Sequence, residues 1–201
     1  MSDESTTVLG ALRQACAERH QAIEALLKLD QALDREHYAR VLTGFGAFVP
    51  YWEARLRPRL PWRLQGWFDD RSRLLLLQRD LAALGLAPAP VADPVADLDL
   101  PDRAALFGSM YVLEGSALGG KLIARRVHAQ WGMGPDNGAA YFHGWGPHTG
   151  ALWADFRERL AHEVGTSEQE IRSACAAAIA TFDALLCCFR QVLGELPAEN
   201  A

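Results

Sequence analysis

Apolar residues recur at helical spacing through most of the chain. Over 8–29, Leu9, Leu12, Cys16, Ile23 and Leu27 form one stripe among polar neighbours, which predicts a first helix. Asp34 carries the side chain of an N-cap for a second, continued by Tyr38, Leu42, Phe45, Phe48 and Trp52 to about Leu56, where Pro58 and Pro61 close it. A third is predicted from Asp69 or Asp70 to Leu84, with Gly85 as its left-handed terminator. Residues 86–101 hold Pro88, Pro90, Pro94 and Pro101, which excludes a helix and predicts an ordered connection over the surface. A long helix over 102–130, a Gly-, Trp- and His-rich loop over 132–147, and helices over 148–163 and 167–196 complete the pattern. Thr166 or Ser167 followed by Glu170 is a capping-box candidate. Strand alternation never exceeds a few residues, and no internal repeat appears. The pattern predicts an all-α, multi-helical bundle, a single domain over 1–201 with flexible ends at 1–7 and 197–201.

Composition agrees with a domain that buries a sizeable core, since half of the 201 residues are hydrophobic and 22% are charged. A formal net charge of −5 provides no general basic surface, so nucleic acid is not an expected partner. The polar, acidic stretch Met1 to Thr7 lacks a signal pattern, and no uninterrupted apolar run is long enough for a bilayer. The expectation is a cytoplasmic protein with no membrane partner. Cys16, Cys175, Cys187 and Cys188 lack CxxC or zinc-type spacing and read as small reduced core residues.

The long helix poses the first chemical question. Between Tyr111 and Ile123 it carries Gly115, Gly119 and Gly120. Each interior glycine costs roughly 0.8–1.0 kcal/mol relative to alanine, so three forgo on the order of 2–3 kcal/mol. Gly115 and Gly119 share one face. Two explanations stand: another helix crosses closely over small residues, or a flat ligand lies against bare backbone.

His20 poses the second. It follows Cys16 by four and precedes Ile23 by three, so the imidazole belongs to the apolar stripe and needs a partner there. Glu24, one turn on, is placed to accept the Nδ1 proton and leave Nε2 free, the usual arrangement for a metal-bound histidine. A core histidine satisfied by Glu24 with no ligand is the plain alternative. A ferritin-like di-iron centre needs two Glu-x-x-His motifs, and no Glu here is followed by His at that spacing. His143 and His148 in the Gly-rich loop lack metal-ligand spacing. One axial His with an apolar, glycine-walled slot is what an iron porphyrin requires.

Taken together, the stretch from Leu12 to Glu24 containing His20, the stretch from Tyr111 to Gly120, and Gly138-Ala-Ala-Tyr-Phe-His-Gly-Trp-Gly146 resemble the bacterial heme oxygenases, most of all those associated with bacteriophytochromes. The resemblance runs from Leu9 to Leu193 in motif order and separation. It implies a heme-oxygenase-like bundle with heme between the first (proximal) helix and a Gly-rich, kinked distal helix. His20 would be the axial iron ligand, with Glu24 hydrogen-bonded to it. Gly115, Gly119 and Gly120 would be the distal glycines. The implied activity is the opening of heme by dioxygen and reducing equivalents to biliverdin, carbon monoxide and ferrous iron. The porphyrin is oxidised at a meso carbon in a self-oxidation, so the protein supplies geometry and no nucleophile.

Some members carry a distal Asp that organises proton-donating water. The corresponding position here is Ser116, a departure that implies an ordered water network on distal backbone groups. Heme propionates call for cationic or hydroxyl partners; Lys28, Tyr111 and Arg126 are the candidates, with Arg13 and Arg190 behind them, although for any single Lys or Arg an ordinary solvated surface charge is the better-weighted reading. Phe182 and Phe189 are candidate pocket walls or plain core. The implied partners are heme, dioxygen, an external electron donor such as a reductase or ferredoxin, and a bacteriophytochrome, so that the role is chromophore supply or iron recovery. A heme-binding, storage or transfer protein without ring-opening activity is the main alternative. A thiaminase-type hydrolase on a similar scaffold would need an activated Cys, and none of the four cysteines has an electropositive, partly exposed setting.

Overall fold

The computed structural model describes residues 7–29 and 34–194. The ends predicted to be flexible, Thr7 excepted, and the predicted end of the last helix at Leu196 lie outside the described residues. Helix α1 (Val8–Leu27) starts where Thr7 Oγ1 accepts the Gly10 N–H at 3.1 Å. It stops two residues before the predicted end because Lys28 takes a left-handed conformation, φ 49°, with its N–H donating to the Glu24 carbonyl. Helix α2 (Arg35–Leu56) begins as its pattern predicts, with Asp34 Oδ2 accepting the His37 N–H at 2.9 Å.

The third predicted helix starts later than expected, and a separate helix precedes it. Helix α3 (Trp62–Asp69) was missed, its buried stripe being only Leu64 and Phe68. Helix α4 (Leu74–Leu84) starts later than predicted, because residues 71–73 serve the interior in other ways. Arg71 and Arg73 are buried, and Ser72 Oγ accepts the Leu74 N–H while donating to the Glu53 carboxylate. Gly85 ends α4 at φ 66°. Residues 86–101 form no helix; Val95, Leu98 and Leu100 are buried, and Arg55 donates to the Ala96 and Leu98 carbonyls.

Helix α5 (Arg103–Trp131) is capped by Asp102, whose Oδ1 accepts the Ala105 N–H at 2.8 Å, and is α-helical throughout. The loop that follows contains a short helix α6 (Ala140–His143) and a 3₁₀ turn, Gly146–His148. Asp80 of α4 holds α6 in place: its two carboxylate oxygens accept the Ala140 and Tyr141 N–H groups at 2.7 Å each. Helices α7 (Thr149–Val164) and α8 (Glu168–Leu193) complete the described chain. The expected capping box is absent, since Ser167 sits at the N-cap of α8 without a side-chain bond; Glu168 and Glu170 in the first turn still suit the helix dipole.

The α5–α8 and α1–α8 contacts are the broadest, and α2, α4 and α7 pack around them. Helix α8 has the length and apolar content to cross a membrane, with a window of mean hydropathy 1.6. Its apolar face, including Phe182, Leu185, Leu186 and Phe189, packs into the core instead. Cys16 and Cys188 are core residues as expected, whereas Cys175 is half-buried and Cys187 exposed.

Candidate active site

A cleft of about 410 Å³ opens between α1, α5 and α8. From α1 it receives Arg13, His20 and Glu24, from α5 Tyr111, Gly115, Ser116, Gly119 and Gly120, and from α8 Phe182 and Leu185. The size is within the range of small-molecule and cofactor sites. His20 is not the core residue its stripe implied. Its side chain is 59% exposed, at the edge of the stripe where α1 faces the cleft. Nδ1 lies 3.3 Å from Glu24 Oε2, which leaves Nε2 as the ring nitrogen open to a ligand. Phe182 meets the imidazole edge-on, with ring centroids 6.2 Å apart.

The glycines of α5 divide by what a methyl group would strike. At Gly108 it would fall 2.0 Å from the Ala174 carbonyl oxygen, so here α8 crosses directly over backbone. At Gly120 it would fall 2.8 Å from the Phe142 carbonyl oxygen, so α6 seats there. At Gly119 it would meet nothing within 4 Å, and at Gly115 only Trp153, at 3.9 Å. Close helix crossing therefore belongs to Gly108, which the sequence reading passed over. Gly115 and Gly119 leave bare backbone on the cleft. Gly120 lines the cleft too, but its missing side chain makes room for α6.

Two buried arginines back this wall. Arg73 Nη2 donates to the Leu113 carbonyl at 2.7 Å and to Ser116 Oγ at 2.8 Å, and its guanidinium stacks 4.7 Å over the Tyr141 ring. Ser116 donates its own proton to Leu113 O at 2.7 Å. Its hydroxyl is thus an acceptor towards the cleft and has no proton to give there. Arg71 forms a fork on Glu114, at 3.0 and 3.1 Å, and also reaches Asp155 at 2.9 Å. Burial pushes the Glu114 carboxyl above the usual range, opposed by Arg71. Burial likewise raises Glu53, opposed by its bond from Ser72. Tyr141 Oη is buried with no partner among the described residues. Tyr141 borders a small cavity of about 20 Å³ that Glu53, Ser72 and Glu114 also line, room for one water.

The remaining candidates separate cleanly. Tyr111 and Arg13 line the cleft. Lys28 is the exposed cap of α1 and Arg190 is exposed on α8; neither lines it. Arg126 donates to the Leu29 carbonyl at 3.2 Å and so ties α5 to the chain just past the end of α1, where Leu29 itself is part of the cleft wall. Phe182 is a wall, whereas Phe189 is fully buried behind Phe45, with ring centroids 4.9 Å apart. His143 and His148 lie away from the cleft, and among the described residues no three His, Cys, Asp or Glu side chains converge as a metal site. Arg73, Phe45, Tyr141 and Trp153 are lining residues that sequence reasoning missed. The only signal for Arg73 was a charged residue just ahead of the leucine run of α4.

Similarity to known proteins bears on the same architecture. A solved heme oxygenase of Neisseria meningitidis, described with NO and CO bound, superposes with a TM-score of 0.74 over 96% of this chain and 94% of that one, at 21% identity. The fold is that of a heme oxygenase. A curated heme oxygenase of Xanthomonas campestris pv. campestris (strain 8004) is 33% identical over 95 residues, which is 47% of this chain. The chain spans about half (55%) of the length of that relative. No family model matches the chain.

Proposed function

We propose that the chain is a heme oxygenase, converting heme, dioxygen and reducing equivalents to biliverdin, carbon monoxide and ferrous iron. The observation that carries this reading is the pairing, across one apolar cleft, of a partnered imidazole on α1 with two uncovered glycines on α5. The donor set fits the group: a single histidine suffices where a macrocycle supplies the other iron ligands. Bound heme supplies the iron that activates dioxygen and the meso carbon that is oxidised.

The chain's own residues then have separable tasks. His20 Nε2 ligates the iron, and Glu24 fixes the ring through Nδ1. Gly115 and Gly119 let the distal backbone approach the reacting edge and restrict its orientation. Ser116, polarised by Arg73, accepts a hydrogen bond from water in the cleft. Arg13 and Tyr111 are the lining groups suited to propionates, with Arg126 acting through the end of α1. A nucleophilic-cysteine hydrolase is not favoured, since burial pushes the Cys16 thiol up to about 12. An external reductase or ferredoxin would deliver electrons in the cytoplasm. The likeness at 12–24, 111–120 and 138–146 is what supports a bacteriophytochrome as consumer of the bilin, with iron recovery as the alternative role.

The test is a hemin titration of wild type and His20→Ala followed by ascorbate or a reductase in air. Loss of the Soret band with a new broad red bilin band, crippled by the substitution, is the expected result. A Soret band that persists under reductant and air would make this a heme-binding, storage or transfer protein. Absence of hemin binding would remove the reading altogether. Because His20 is exposed, His20→Ala should melt within about 2 °C of wild type.

A further inference from the structure

A second concavity, of about 710 Å³, lies between α5 and the loop 133–147. Met133 and Ala139 are buried in its floor, flanked by Ala124, Pro135 and Pro147. Its polar rim is of one kind. Lys121, Arg125 and His128 follow at i, i+4 and i+7 along one face of α5, and His143 at the end of α6 also lines the groove. No carboxylate lines it.

The cleft, by contrast, carries Glu24 in its lining. Arg19, Arg57, Arg63, Arg71, Arg79 and Arg172 each have an acidic partner. Asp136, in the same loop, is turned to Arg79 at 3.1 Å. Among the described residues, the side-chain hydrogen bond of Arg125 runs back to the Lys121 carbonyl of its own helix, at 3.3 Å. Cations one turn apart on a helix repel each other, so an anionic occupant gains from both. The apolar floor asks for more than a small inorganic ion, because an occupant that buries hydrocarbon there gains in proportion to the area covered. Two imidazoles flanked by two cations, without an acid, do not suit a metal cation.

We infer that this groove binds an amphipathic organic dicarboxylate, the chemistry of a tetrapyrrole with its two propionates, at a site separate from the cleft. The tetrapyrrole identity rests on the function proposed above; the preference for an apolar anion does not. Lys121 follows Gly120 and His143 follows Phe142, so a ligand bridging them spans the joint where Gly120 meets the Phe142 carbonyl. Gly120 and Phe142 also line the cleft. Occupancy of the groove would therefore bear on the distal wall, whether the ligand is substrate waiting outside or product after release.

The experiment loads the protein with one equivalent of hemin, titrates biliverdin, and follows the induced circular dichroism of the bilin. Two variants probe the two halves of the argument: Lys121→Glu with Arg125→Glu reverses the rim, and Ala124→Phe fills the floor. Each should weaken biliverdin at least tenfold while leaving the Soret band and thermal melt of the hemin-loaded protein unchanged. Competition by a second equivalent of hemin assigns the site to substrate as well, and its absence assigns it to product. No dichroism on the loaded protein, equal binding by both variants, or displacement by inorganic phosphate at the affinity of biliverdin overturns the inference. If hemin does not load at all, the function reading fails by itself, and biliverdin titration of the unloaded protein against the same two variants still decides the groove.

Discussion

Replacing the α5 glycines one at a time by alanine separates a ligand wall from a packing contact. At Gly119 the new methyl group meets nothing within 4 Å. The substitution then removes only the backbone freedom that glycine brings to the unfolded chain, a gain of about 0.8–1.0 kcal/mol. For a chain of 201 residues that raises the melting temperature by roughly 2–4 °C. At Gly120 the same gain is opposed by a contact of 2.8 Å with the Phe142 carbonyl oxygen. Backbone there cannot retreat freely, because Asp80 pins the N–H groups of Ala140 and Tyr141. Overpacking of this kind costs about 1–3 kcal/mol, so Gly120→Ala should melt lower than wild type by up to several degrees. Gly108→Ala, aimed 2.0 Å from the Ala174 carbonyl oxygen, should be the most damaging of the three. Calorimetry orders the stabilities, and hemin titration with ring opening reads function. Gly119→Ala should be the more stable protein and the poorer enzyme. A Gly119→Ala protein as unstable as Gly120→Ala, or one that binds and opens hemin like wild type, would refute the assignment of this face to a ligand.

Two further outcomes follow from the buried charges. Arg71→Ala leaves Glu114 buried without its fork and should cost about 3–5 kcal/mol, seen as a lower urea midpoint with an unchanged slope; a loss under 1 kcal/mol would contradict the clamp. The Glu53 carboxyl titrates above its usual range because of burial, so between its ordinary value and its raised one the folded state holds a proton that the unfolded chain has lost. Stability from this group is fully present below that window and falls as pH rises through it. Melting temperatures of Glu53→Gln and wild type, compared from pH 4 to 8, should therefore diverge in favour of the variant with rising pH, and a constant difference would be the contrary result.

Features set by neighbours in sequence were legible. Asp34 and Asp102 cap the helices they were predicted to start, Gly85 ends α4, and the prolines of 86–101 keep that segment out of a helix. His20 with Glu24, and the glycine segment of α5, were visible because their spacing is helical. What failed was whatever depends on distant partners. Leu74 to Leu84 forms its own helix because Arg71 and Arg73 turn inward, and no local pattern marks an arginine as buried. Gly108 was passed over, and the packing role that Gly120 has beside its place on the cleft went unseen, for a related reason: what matters is the backbone opposite, at Ala174 and at Phe142. Lys28, placed by helical spacing from His20, was displaced by the left-handed end of α1, two residues before that spacing assumed, while Arg126 keeps its place on α5 and is drawn to the Leu29 carbonyl.

The inward arginines also explain how a glycine-weakened helix presents a fixed surface. Three glycines within 115–120 forgo on the order of 2–3 kcal/mol of helix preference, at the place where the proposed chemistry asks for the least movement. The turn containing Leu113, Glu114 and Ser116 is gripped at three points: the Leu113 carbonyl and Ser116 hydroxyl by Arg73, which lines the cleft beside the glycines, and the Glu114 carboxylate by Arg71 behind them. Arg71 continues to Asp155 and to the Leu152 carbonyl, and its guanidinium lies 4.6 Å from the Trp67 ring centroid, so α3, α5 and α7 share one cation. The glycine positions can then stay bare because the residues next to them are held by charge-assisted hydrogen bonds, which are about twice as strong as neutral ones. Side chains on the cleft face would have stabilised the helix directly, but they would also have filled the cleft. Anchoring through Arg71 and Arg73, at positions other than the glycines, is the arrangement that permits both.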